Sequence, residues 1–145
     1  MSMFIGEYSH TIDDKSRLAI PNKFRTDLTK GAIITRSPDK CLFVYTKAEG
    51  QKLAEKVANL PFSQSSTRAF ARLMLAGATE VTLDKQGRII LPEYLKKFAG
   101  LKKQVIVAGL YNRLEIWDES TWTKYKQSTE KNSEEIAERM GELGV

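Results

Sequence analysis

Two short stretches of this chain carry the residues best placed to do chemistry. Ile12 to Pro21 reads IDDKSRLAIP, and Leu83 to Pro92 reads LDKQGRIILP. Each sets an Asp four residues before an Arg and a Pro four residues after it, and Asp13 and Arg17 stand 71 positions before Asp84 and Arg88. An Asp and an Arg across a turn can pair and brace a hairpin, and an Asp at a turn start also bonds its own backbone. That bracing is the reading of Asp13, Asp84 and Arg88. Arg17 has further company, because Lys15, Lys23 and Arg25 complete a set of four bases within eleven residues. A two-stranded ribbon with bases at its foot fits the major groove of B-DNA. An Arg there can bond guanine O6 and N7 together, worth about 1–3 kcal/mol of discrimination, and nearby lysines neutralise phosphates and make binding salt-dependent. Lys15, Arg17, Lys23 and Arg25 are therefore the candidate DNA contacts. Gly87 permits a positive φ in the second turn; Ser16 holds that place in the first, which leaves open whether the two turns match.

Charge separates the copies along the chain. Residues 1–72 hold twelve Lys/Arg against seven Asp/Glu, a net +5, whereas residues 73–145 hold eleven of each. A polyanion is the partner such an excess suggests. By this count Arg17 is assigned to DNA and Arg88 to the scaffold. Lys96-Lys97 and Lys102-Lys103 read as solvated bases around a short helix.

A repeat at this spacing governs the whole fold. In the first copy, Glu7 to Ile12 alternates as a strand with Tyr8, His10 and Ile12 on one face. Asp13 to Ser16 is the turn and Arg17 to Ile20 the return strand. Pro21 then opens a short helix through Leu28. Strands follow at Ala32–Thr35 and Cys41–Tyr45, and a helix at Ala48–Ala58 turns Leu53 and Val57 inward. The second copy repeats the order: strands Glu80–Leu83 and Arg88–Leu91, a helix from Pro92 to Phe98 closed at Ala99-Gly100, then strands Val105–Ala108 and Leu114–Trp117. Asp118 or Ser120 is expected to cap a helix bearing Trp122 and Tyr125, and Ser65 or Ser66 to cap a connecting helix Arg68–Leu75. These readings divide the chain into a module at 1–59, a connector at 60–76, a module at 77–126 and an acidic tail at 127–145. The tail has apolar residues at Ile136, Met140 and Leu143 and is expected to dock on a neighbour or fray. A module of roughly 50–60 residues is marginal alone, so the fold expected is α+β, with two strand–turn–strand–helix–strand–strand–helix copies interleaving their hairpins into one closed barrel without free edges.

Several function classes lack their residues. His10 is the sole histidine, no His/Cys/carboxylate cluster has metal-ligand spacing, and neither a P-loop nor a dinucleotide fingerprint occurs. The expectation is a non-enzyme without cofactor. The one cysteine, Cys41, lies in the apolar run CLFVY and reads as a small core residue. Trp117, Trp122 and Tyr125 read as packing residues. No apolar run nears the roughly 18–20 residues that span a bilayer. The N-terminal stretch has no basic region followed by an apolar one. A cytoplasmic address and no membrane contact are expected.

FIGEYSHTIDDKSRLAIPNKFR, GATEVTLDKQGRIILP and NRLEIWDESTW, with the doubled Asp-x-x-x-Arg, resemble the MraZ family of bacterial transcriptional regulators over nearly the whole chain. The resemblance implies an AbrB-like swapped-hairpin barrel, subunits assembled into a ring, and a nucleoid-associated regulator. It also implies binding to direct repeats upstream of its own operon, the division and cell-wall cluster, with repression there. Arg17 matches the arginine that the family associates with DNA, with Lys15 beside it. Ser16 departs from the usual glycine, and TKAEGQKL departs from a first copy that often carries a Pro and a Trp. Since the chain already contains its pseudo-dimer, a ring of it would be head-to-tail. Such a ring would read direct repeats spaced near one helical turn, with the DNA bent or the ring distorted. The alternative is a protein-binding module of antitoxin type.

Overall fold

The structure, a computed structural model, describes residues 3–145. Eight strands run in chain order: β1 Phe4–Thr11, β2 Arg17–Ala19, β3 Ala32–Arg36, β4 Leu42–Thr46, β5 Thr79–Val81, β6 Arg88–Ile90, β7 Gln104–Tyr111 and β8 Leu114–Asp118. Six of them form a mixed-copy antiparallel sheet in the order β1-β7-β8-β4-β3-β5, and β2 pairs with β6 as a separate two-stranded ribbon. Only β3–β4 and β7–β8 pair within a copy. The pairs β1–β7, β3–β5, β4–β8 and β2–β6 all join one copy to the other. The modules therefore interleave, and a single buried cluster draws Phe4, Leu18, Phe24 and Leu42 from the first and Ile89, Leu95, Val107 and Ile116 from the second.

The expected edge-free barrel is corrected in one respect. The main ladder is open, with β1 and β5 at its edges. Each edge strand instead runs into one of the charged turns, whose return strands β2 and β6 meet each other across the core. Leu18 and Ile89, opposite one another in that ribbon, are fully buried, each burial worth about 1.5–3 kcal/mol.

The helices follow from local sequence with some shifts. Pro21 lies before two 3₁₀ turns, Asn22–Phe24 and Thr26–Leu28, rather than inside one helix. Pro92 likewise stands at the cap of α3, Glu93–Phe98, not at its first residue. Gly100, at φ 61°, ends α3 and lets the Leu101 amide donate to the Lys96 carbonyl, the left-handed exit that glycine favours. Helix α1, Lys47–Ala58, starts one residue earlier than expected because Thr46 Oγ1 accepts from the Glu49 amide. Helix α2 spans Ser65–Ala71 and passes into a π-turn, Arg72–Ala76; its cap is Gln64 without a side-chain bond, so neither serine caps it. Helix α4, Glu119–Lys131, begins after Asp118, whose carboxylate is occupied elsewhere, accepting from the Lys102 amide and the Ser120 hydroxyl. Trp117 packs edge-on to Trp122 and tilted on Tyr125, at 5.5 and 5.2 Å between ring centroids. Helix α5, Ser133–Glu142, ends the fold, and every residue from 123 to 145 is exposed.

Among the described residues no helix is long and apolar enough to cross a membrane. Cys41 is buried beside Ser37 and Glu115, and burial pushes its thiol up to about 12.

The cross-copy pair β1–β7 sets Gly6 opposite Gly109, and a Cβ on Gly109 would lie 2.6 Å from the Ile5 nitrogen. Because the obstacle is backbone, Gly109→Ala is expected to destabilise the fold by about 1–3 kcal/mol. Urea unfolding checks this as a lower midpoint at unchanged m-value; an unchanged midpoint would mean that the two strands can part at no cost.

Candidate nucleic-acid interface

The two charged turns are built alike. Asp13 Oδ1 accepts from the amides of Lys15 and Arg17, each at 2.9 Å, and its Oδ2 accepts from Arg17 Nε at 2.6 Å. Asp84 repeats this with the amides of Gln86 and Arg88 and with Arg88 Nε, all at 2.9 Å. The Ser16 and Gly87 amides donate back to the carbonyls of Asp13 and Asp84. Both turns also require a left-handed residue at the same place, with Ser16 at φ 60° and Gly87 at φ 75°. Serine adopts the conformation at a penalty of roughly 1–2 kcal/mol.

Ser16 is held there by the other copy. Its Oγ donates to Glu93 Oε1 at 3.0 Å and accepts from Lys96 Nζ at 2.6 Å, while Lys96 and Glu93 pair at 2.9 Å. The bonds from Lys96 and then Ser16 hold the Glu93 carboxyl below its ordinary range. Gly87 is covered in the reciprocal way. Arg25 lies against it so closely that an added Cβ would collide with the Arg25 side chain, and Arg25 Nε donates to the Ile20 carbonyl at 2.8 Å. Lys96 stands 71 positions after Arg25, so the same base of each copy reaches the other copy's turn. Lys96 is thus engaged rather than solvated, and the repeat offset was the signal for it.

The four bases grouped by sequence do not form one patch. Lys15 is exposed on the first turn. Arg17 leaves that turn. Arg25 sits on the second turn, and it also helps burial to lower the pKa of His10. Lys23 Nζ lies 5.8 Å from the Tyr8 ring centroid and 5.7 Å from that of Phe24. Strand alternation places the arginines themselves together. In the ribbon Arg17 faces Ile90 and Ala19 faces Arg88, so these four share the face opposite the buried Leu18 and Ile89. Ile90 is 63% exposed there. The two guanidinium groups are equally engaged, with side chains 31% and 27% exposed. The interleaving thus removes the separation that charge counted along the chain had suggested.

The arrangement defines a class: a duplicated β-module whose copies interleave and present two braced Asp–Arg turns on a common ribbon. The family described as "MraZ protein, putative antitoxin-like" matches residues 3–73 and again residues 74–143. The chain belongs to the MraZ family, with two tandem family domains. Among the described residues no group of three His, Cys, Asp or Glu is placed to hold a metal ion.

The amide bonds from Arg17 and Arg88, each first among several donors, hold the carboxyls of Asp13 and Asp84 below their ordinary 3.8. A depressed carboxylate stabilises the fold above its unfolded pKa and loses that contribution as pH falls through the folded one. The stability advantage of the native chain over Asp13→Asn or Asp84→Asn is therefore expected to hold above pH 3.8 and to shrink progressively below it, as read by thermal melts across pH 2–6. An advantage that persists undiminished in strong acid would show that the carboxylate charge is not what braces the turn.

Proposed function

We propose that this protein is a sequence-specific DNA-binding transcriptional regulator that represses its own operon through direct repeats upstream. The observation that carries the reading is the ribbon β2–β6, with Arg17 and Arg88 on its outward face over a fully buried Leu18 and Ile89. A two-stranded ribbon is narrow enough for the major groove, and arginine is the side chain that bonds guanine bidentately there. Ile90 offers an apolar contact suited to a thymine methyl. Lys15, Lys23 and Arg25 flank the ribbon as phosphate contacts. Asp13 and Asp84 brace the turns and set the direction of each guanidinium, so Arg88 joins Arg17 at the DNA rather than serving the scaffold alone. The cross-copy pairing is read as the AbrB-like swapped-hairpin arrangement, closed by the ribbon. Subunits join head-to-tail in a ring, because the two-fold relation is already used within the chain. Adjacent subunits then present their ribbons in one sense, which suits direct repeats about 10 bp apart and requires that the DNA bend or the ring distort. A nucleoid address follows from this role. The antitoxin-like wording of the family description favours a second reading, in which the exposed α4–α5 tail holds a protein partner.

Binding of the full chain to its own upstream DNA and to a scrambled duplex, at two salt concentrations, tests the reading. Arg17→Ala is expected to lose about 5–150-fold in specific affinity, the equivalent of roughly 1–3 kcal/mol, with assembly intact. Arg17→Lys keeps the charge but not the planar fork; it is expected to retain the salt slope and lose discrimination between the two duplexes. Normal affinity of Arg17→Ala for the repeats would refute the assignment. Arg88→Ala is expected to weaken binding in the same direction; lost stability at unchanged affinity would return Arg88 to the scaffold.

A further inference from the structure

The ribbon that carries both arginines is almost two-fold symmetric. Leu18 and Ile89 face each other at its centre, and exchanging the copies moves each residue by 71 positions, so that Arg17 takes the place of Arg88 and Ala19 that of Ile90. A two-fold symmetric reader matches a palindromic site. Two equal arginines alone would therefore read one unit equally well in either direction. A direct repeat has a single direction, so a group that differs between the two halves must set it.

Few groups on this face differ. Of the four outward positions, 17 and 88 are both Arg, each bonded to its own Asp, and only 19 and 90 are unlike. Ser16 differs from Gly87, but its hydroxyl is engaged by Glu93 and Lys96. The turn tips Asp14-Lys15 and Lys85-Gln86 each carry one lysine, and lysines at phosphates position a protein without reading sequence. Ala19 is half-buried, whereas Ile90 is 63% exposed. Its side chain has no hydrogen-bonding group and tells bases apart by apolar contact alone. The major groove offers that contact at the 5-methyl group of thymine, and burying Ile90 there removes apolar surface from water.

We propose that Ile90 gives each subunit its direction on the duplex, by packing against a thymine methyl beside the guanine bound by Arg17. Ala19 is too short to do the same beside Arg88 and leaves that half unread. Ile90 lies directly across the ribbon from Arg17, so the methyl group it meets lies within about two base steps of that guanine. The inference rests on the DNA-binding reading of the ribbon and adds its polarity.

Selection from a randomised duplex pool by the full chain tests it, followed by affinity measurements on the selected unit with single thymines replaced by uracil. That replacement deletes the methyl group and keeps the pairing edge. The native chain is expected to select a unit without two-fold symmetry, with guanine on both strands and thymine beside one of them. Uracil at that thymine is expected to cost about 4-fold in affinity, the weight of one buried methyl group. Ile90→Ala is expected to be indifferent to the replacement, and Ala19→Ile to select a two-fold symmetric unit with thymine beside both guanines. The uracil comparison on the native chain needs no variant and decides the matter even where a variant fails to fold. A native unit that is itself two-fold symmetric, or equal affinity for thymine and uracil at every position, overturns the role of Ile90 and leaves the ribbon as the DNA contact. Failure of the native chain to enrich any sequence overturns both.

Discussion

The fold depends on a constraint of strand pairing: neither copy can satisfy its own edge strands. β2 and β6 are three residues each, too short to stand alone, and they lie together because Leu18 and Ile89 have nowhere else to be buried. β1 finds its partner in β7 and β5 in β3, so the hydrogen-bond ladder and the apolar core are both shared property. Unpaired backbone groups in a buried strand are too unfavourable to leave. A marginal module of this size thereby gains a full core.

The same interleaving sets the conformation of the charged turns. Within each turn the Asp carboxylate gathers two amides and a guanidinium, a closed local arrangement that sequence spacing alone can specify. Whether the turn can hold its left-handed residue depends on the other copy. Gly87 needs no support and leaves room for Arg25 to lie on it. Ser16 pays the steric penalty, and its hydroxyl recovers two bonds, to Glu93 and Lys96. One pair of equivalent bases thus serves two chemically different ends: Arg25 fills the space a side chain would occupy, and Lys96 bonds the side chain that is there.

Much of this was legible in the sequence. The repeat, the α+β class, the strand positions, the two turns and the exit at Gly100 follow from spacing, alternation and turn chemistry, which are local. The proline positions, the cap of α2, the missing capping bond of α4 and the edges of the sheet did not, for physical reasons. Asp118 does stand at the cap of α4, but the Lys102 amide, sixteen residues away, claims its carboxylate, so no capping bond forms. Pro21 precedes two tight 3₁₀ turns that carry the buried Phe24 and Leu28, one in each. Charge counted by chain half does not carry over to space, since strands distant in sequence lie side by side, and Arg25 lies against Gly87 of the second turn. The engagement of Lys96 was visible only as the arithmetic of the repeat.

Divergence between the copies is what a duplicated chain can use that a symmetric dimer cannot. Two identical modules related by a two-fold axis carry every outer feature twice. Here the shared face keeps its symmetry, with Arg17 and Arg88 in matched turns, while the far surfaces have drifted apart. Trp122 and Lys126 of α4 both bond Glu7 of β1, where the matching positions of α1 are Gly50 and Ala54 and make no such bonds. A Cβ at position 50 would stand 2.9 Å from Ile33, so glycine is what lets α1 approach β3 this closely. Each copy continues past its long helix into a further one, α2 after α1 and α5 after α4, but only the stretch that follows α2 buries a residue, Met74, whereas α5 buries none.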